Sequence, residues 1–91
     1  MMKELVLKNI DSLIILIKGH CGNYPAHLYN CDFLVNEFLK LKSALINNSE
    51  DLKNLIEWSV WFAPRIIYDG INNKEALRKL EELNELLKQY V

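Results

Sequence analysis

Glycine is scarce in this chain, with three in 91 residues. Three glycines, at positions 19, 22 and 70, cannot build a phosphate-cradling loop that runs into a helix, which excludes P-loop and dinucleotide-binding chemistry. Cysteine is scarcer still. Cys21 and Cys31 are too few for a disulfide framework, and a core this apolar does not need one, so both are read as free thiols packed as small hydrophobes. Long apolar runs are missing as well. Leu13 to Ile17 is five residues long and closed by Lys18, far short of a bilayer span, and no small-residue cleavage site follows it. The expectation is a cytoplasmic protein with no membrane contact.

Nor is there an excess of charge of one sign. Eleven basic and twelve acidic residues leave a net charge of -1. Residues 1 to 48 carry five positive and four negative charges, and residues 49 to 91 carry six and eight. Binders of nucleic acid show a basic excess or a basic face with polar readers; this chain has neither, so nucleic acid is not an expected partner.

What is present is apolar surface. Hydrophobic residues make up 51% and charged residues 25% of the chain, a balance that excludes disorder and suits one domain over residues 1 to 91. The abundance of Leu, Ile, Asn and Lys fits an AT-rich bacterial or phage genome. Three punctuation marks divide the sequence: Gly19 to Pro25, Asn47 to Ser49, and Asp69 to Asn73. Between them no stretch alternates apolar and polar with period two, so every segment reads as helix.

The first helix, about 2 to 18, places Val6, Ile10, Leu13 and Ile17 on one stripe; Leu5, Ile15 and Leu16 lie off it and predict cover on more than one side. The second, about 26 to 46, carries Leu34, Phe38, Leu41 and Leu45, with Pro25 suited to a first turn. The third starts near Ser49 with Glu50 and Asp51 in its first turn. The fourth starts at Asn72, with Glu75 completing a near capping box, and sets Ala76, Leu80, Leu83, Leu87 and Tyr90 against a charged outer face. Short connections predict an all-α, antiparallel up-down four-helix bundle. Pro64 lacks the N–H for the carbonyl of Val60, which predicts a kink or break in the third helix near Val60 to Ala63, with residues 64 to 69 as a separate turn.

That third segment has two faces. Leu52, Leu55, Ile56, Ser59, Phe62, Ala63 and Ile66 form a core stripe; Trp58, Trp61, Arg65 and Tyr68, spaced three, four and three, form a second. Two readings stand side by side. Large aromatics in a small domain are usually core. Trp, Tyr and Arg are also the types that dominate binding hot spots, and here they share a face, which makes them the candidate partner-binding residues.

One cluster resembles a metal site. His20, Cys21, His27 and Cys31 are zinc-ligand types within twelve residues, with His27 and Cys31 four apart. The spacing matches no standard finger, so neither metal nor cofactor is expected. Catalytic residues are not expected either: the Cys–His pairs have no evident orienting group or oxyanion site.

The run Trp61-Phe62-Ala63-Pro64-Arg65-Ile66-Ile67-Tyr68-Asp69, in a small helical chain, looks like the immunity and antitoxin proteins that bacteria encode beside toxins. That resemblance implies a non-enzymatic module that binds and occludes a partner protein. Immunity proteins against nucleases are typically strongly acidic and this chain is not, so the toxin need not be a nuclease. A structural or regulatory homodimer, with the same face meeting its own copy, and a small Cys/His zinc-binding protein are the alternatives.

Overall fold

In the computed structural model, which describes residues 2–90, the chain runs through five α-helices and one short 3-10 turn. These are α1 (Met2–Asn23), the turn Pro25–His27, α2 (Leu28–Asn47), α3 (Leu52–Trp61), α4 (Ala63–Gly70) and α5 (Lys74–Tyr90). No strand occurs among the described residues, and they fill an envelope of 35 × 20 × 20 Å. Among the described residues no helix is long and apolar enough to cross a membrane.

The stripes expected from periodicity meet at the centre. Val6, Ile10, Leu13 and Ile17 of α1, Leu34, Phe38, Leu41 and Leu45 of α2, and Ala76, Leu80, Leu83 and Leu87 of α5 are all fully buried. Fully burying one such Leu or Ile contributes roughly 1.5–3 kcal/mol before chain entropy is counted. Helix α1 packs against both α2 and α5 along this single seam. The cover expected on a second side is not found at Ile15, which is 70% exposed, or at Leu5; of the three off-stripe residues only Leu16 is half-buried.

The ends of the helices follow from local chemistry, in places differently from expectation. Gly19 and Gly22 do not stop α1, which continues to Asn23; neither glycine adopts positive φ, and both stay helical. The second helix starts at Leu28 rather than near 26, because Pro25 opens a 3-10 turn first. Helix α2 ends where the asparagines stand: Asn48 takes φ 51°, and Ser49 N–H bonds back to Ala44 O at 3.0 Å. The same device ends α4, with Asn72 at φ 47° and its N–H on Ile67 O at 2.7 Å. Asn72 is therefore a terminator and not the cap of the last helix. That role falls to Asn73, whose Oδ1 accepts from Ala76 N–H at 2.9 Å. Glu50 and Asp51 lie in the turn ahead of α3, which starts at Leu52.

The interruption expected near Val60 to Ala63 is a full break, with residues 63–70 as a helix of their own, so five helices rather than four run through the described residues. The backbone ladder runs as far as Phe62 N–H on Trp58 O and resumes with Ile66 N–H on Phe62 O. Pro64 has no N–H to give, and Phe62 sits between the two helices at φ -110°, ψ -38°.

Candidate functional site

The break decides which side chains face out. Along α3 and α4 the buried positions are Ile56, Ser59, Ala63 and Ile67, a stripe turned slightly forward of the expected one. Phe62, expected in the core, falls off its trailing edge and is 62% exposed. Trp61 is 74% exposed and Tyr68 64%, while Arg65 is exposed with no carboxylate at ion-pair distance among the described residues. Three large rings and a guanidinium thus share one knuckle of the surface.

Trp58 is not among them. Its indole meets the ring of Phe38 edge-on at 5.1 Å and that of Phe33 at 6.3 Å, so it faces α2 and the core. Its free edge closes one end of an open groove of about 630 Å³ between α2 and α3, with Ala44 and Leu55 also lining it. One tryptophan therefore packs inward and the other stands out. Phe62 is the surface residue that pattern reasoning assigned to the core, and the signal that could have found it is Pro64, two positions on.

The helix break needs support from inside. Ser59 lies in the interrupted stretch of the ladder, where its carbonyl accepts from Asn84 Nδ2 of α5 at 2.9 Å. In return the Ser59 hydroxyl donates to Asn84 Oδ1 at 2.7 Å. Both residues are buried and no buried side-chain nitrogen or oxygen among the described residues lacks a partner. A second tie closes the far end of α4: Asn30 Nδ2 donates to Gly70 O at 3.1 Å. A Cβ on Gly70 would sit 3.0 Å from the Asn30 amide, so this close approach uses the missing side chain.

Close to that tie, at the C-terminal end of α1, the four Cys/His residues come together, but not as a zinc set. Cys21 and Cys31 are joined in a disulfide, with Cα atoms 6.1 Å apart. The expectation of free thiols is thus corrected: the continuation of α1 through Gly19 places Cys21 on the helix, within bridging distance of Cys31 on α2. Bonded to each other, the two sulfurs are not thiolate ligands, and no group of three or more His, Cys, Asp or Glu suited to a metal occurs among the described residues.

The histidines make a chain of hydrogen bonds instead. His20 Nε2 lies 2.7 Å from His27 Nδ1, and His20 Nδ1 lies 3.1 Å from Asn73 Nδ2. The rings of His20, Tyr24 and His27 stack, with centroids 4.6 to 5.6 Å apart. Burial first, and the neighbouring His27 second, hold the His20 pKa below the ordinary imidazole value. Comparison with protein-family models, with curated proteins and with solved structures finds no match for this chain.

Proposed function

We propose that this chain is a non-enzymatic protein-binding module that occludes a partner protein, in the manner of the small bacterial immunity and antitoxin proteins. The observation that carries the reading is the exposure of Trp61, Phe62 and Tyr68, each more than three-fifths open to solvent, around Arg65, which has no ion-pair partner among the described residues. Large rings left in water on one knuckle gain by being covered. Burying three of them contributes on the order of 5 kcal/mol, before the entropy of association is subtracted. The rings would fill apolar pockets on the partner, and Arg65 would meet a carboxylate there. That pairing would give a carboxylate partner to a guanidinium that forms no ion pair among the described residues, although Asp69 stands one helical turn away in α4.

The test takes the purified product of the reading frame next to this gene and measures its binding by calorimetry. Trp61→Ala and Arg65→Ala should each weaken binding about thirty-fold, a loss of about 2 kcal/mol, while the melting temperature stays within a few degrees of the parent. Ile15→Ala, on the far side of α1, should change neither. Binding that is equal for all variants refutes this surface, and early melting of the Trp61 variant refutes its exposure. A dimeric mass by light scattering that Trp61→Ala abolishes would assign the same surface to self-association instead.

A further inference from the structure

The hydrogen bonds around His20 have only one consistent polarity. Asn73 Oδ1 is committed as an acceptor, because it takes Ala76 N–H at 2.9 Å and caps α5. The other end of that amide, Nδ2, must donate, so His20 Nδ1, 3.1 Å away, carries no hydrogen and accepts. The neutral imidazole then bears its hydrogen on Nε2, which donates to His27 Nδ1 at 2.7 Å. Direction is fixed from one end to the other: backbone amide to Asn73, Asn73 to His20, His20 to His27.

Such a chain has no room for another proton. A hydrogen added to His20 Nδ1 would point at the donor Nδ2 of Asn73. A hydrogen added to His27 Nδ1 would point at His20 Nε2–H. Either proton sets donor against donor and breaks a link. We propose that the Asn73–His20–His27 chain is a proton-operated latch, which holds the end of α1 against the start of α5 while both imidazoles are neutral and releases it when one more proton arrives.

The surroundings are built to hold that neutral state. His20 is buried, and the titratable groups lining the cleft around it are Tyr24 after α1, His27 from the 3-10 turn and Lys74 from α5. Among the described residues no carboxylate lines that cleft to stabilise an imidazolium, and Lys74 is a cation. The disulfide belongs to the same device: Cys21 adjoins His20, and the bridge to Cys31 closes the loop that presents His27. Asn72, Asn73 and Lys74 also line the small hollow beside Tyr68, on the other side of the turn between α4 and α5. Release would therefore loosen the Tyr68 end of the aromatic knuckle, a consequence that rests on the binding reading above while the latch itself does not.

The sign of the pH effect follows from the lowered His20 pKa. In the unfolded chain the ring takes up its proton around the ordinary value of 6.5, and in the folded protein only below that. The contribution of the latch is complete above 6.5 and is lost as pH falls from there through the lower folded value.

Nitrogen NMR of the full chain tests this directly. Neutral His20 should show an unprotonated Nδ1 and a protonated Nε2, and its titration midpoint should lie below that of an exposed histidine. Across that titration the hydrogen-exchange protection of the Ala76 amide should fall about five-fold, as expected for one lost hydrogen bond. Asn73→Asp keeps an oxygen to cap α5 but replaces the donor with a carboxylate, so it should raise the His20 midpoint above the ordinary value and reverse the pH dependence. A neutral His20 protonated on Nδ1, Ala76 protection that ignores the titration, or an Asn73→Asp variant with an unmoved midpoint would each overturn the latch. Unchanged binding at the Tyr68 knuckle, with the NMR results intact, would remove only its link to the partner.

Discussion

Replacing Asn84 by Ala removes one side chain from α5 and leaves two orphans in α3. The Ser59 hydroxyl loses its acceptor at 2.7 Å, and the Ser59 carbonyl loses the amide donor at 2.9 Å. Ser59 is fully buried, so water does not replace either partner without an opening of the helix pair. A rotating hydroxyl recovers part of its loss on a nearby backbone carbonyl. The carbonyl at the break has no such freedom, because Pro64 and the phase change at Phe62 remove the helical donors around it. At roughly 1 kcal/mol for the first and 2 kcal/mol for the second, Asn84→Ala should cost about 3 kcal/mol. For a domain of this size that corresponds to a fall in Tm of about 12 to 24 °C. Urea unfolding of Asn84→Ala, Ser59→Ala and the double variant apportions the loss. Ser59→Ala removes only the hydroxyl bond and should cost about 1 kcal/mol; the double variant should cost less than the sum of the singles, since one orphan disappears with the hydroxyl. Asn84→Asp, which accepts from the hydroxyl but turns a second acceptor toward the carbonyl, should be as harmful as Asn84→Ala at neutral pH. A loss below about 0.5 kcal/mol for Asn84→Ala would refute the reasoning, because it would place that carbonyl in the range of ordinary surface substitutions.

Three further expectations rest on single contacts. Reducing the Cys21–Cys31 bridge, or Cys31→Ser, frees a loop whose ends are ten residues apart and should lower stability by about 3 kcal/mol, read from chemical unfolding with and without reductant. Gly70→Ala presses a Cβ onto the Asn30 side chain, which swings away and gives up its bond to Gly70 O; a loss of about 1 kcal/mol is expected in the same assay. Trp58→Ala, which opens space beside Phe38 and Phe33, should cost about 2 to 3 kcal/mol, whereas Trp61→Ala should stay within about 0.5 kcal/mol; equal losses would contradict the inward and outward placement of the two indoles.

The core was legible in the sequence because spacing alone specifies it. Val6, Ile10, Leu13 and Ile17 recur at helical intervals, as do the stripes of α2 and α5, and no competing polar group disturbs them. Glycine and asparagine signals were less certain. Asn48 and Asn72 end helices because their short polar side chains tolerate left-handed backbone, but Gly19 and Gly22 only lower helix propensity, and packing against α2 and α5 carries α1 through them. Contacts between distant positions were not legible at all. His20 and Asn73 are 53 residues apart, and Ser59 and Asn84 are 25 apart; nothing in either neighbourhood names the partner. The cysteines misled for the same reason, since their bridge depends on how far α1 extends. The disulfide also pulls against the cytoplasmic expectation, because cytosolic reductants keep thiols reduced.

Much of the candidate surface traces to Pro64. Its missing N–H interrupts the ladder between Trp58 and Ile66 and makes Phe62 a joint between two helices. Beyond the joint the buried stripe keeps Ala63 but passes to Ile67 in place of Ile66, which leaves Phe62 beside Trp61 on the outside. A continuous helix would instead keep the expected stripe, with Phe62 turned inward between Ser59 and Ile66. The interruption exposes polar backbone within the core, and Asn84 answers it from the neighbouring helix by bonding the Ser59 carbonyl. A buried Ser–Asn pair adds little that a leucine pair would not supply through packing alone, so its presence makes physical sense as the counterpart of the break. The exposed rings and the buried amide are then two halves of one arrangement: the first needs the proline, and the second makes the proline tolerable.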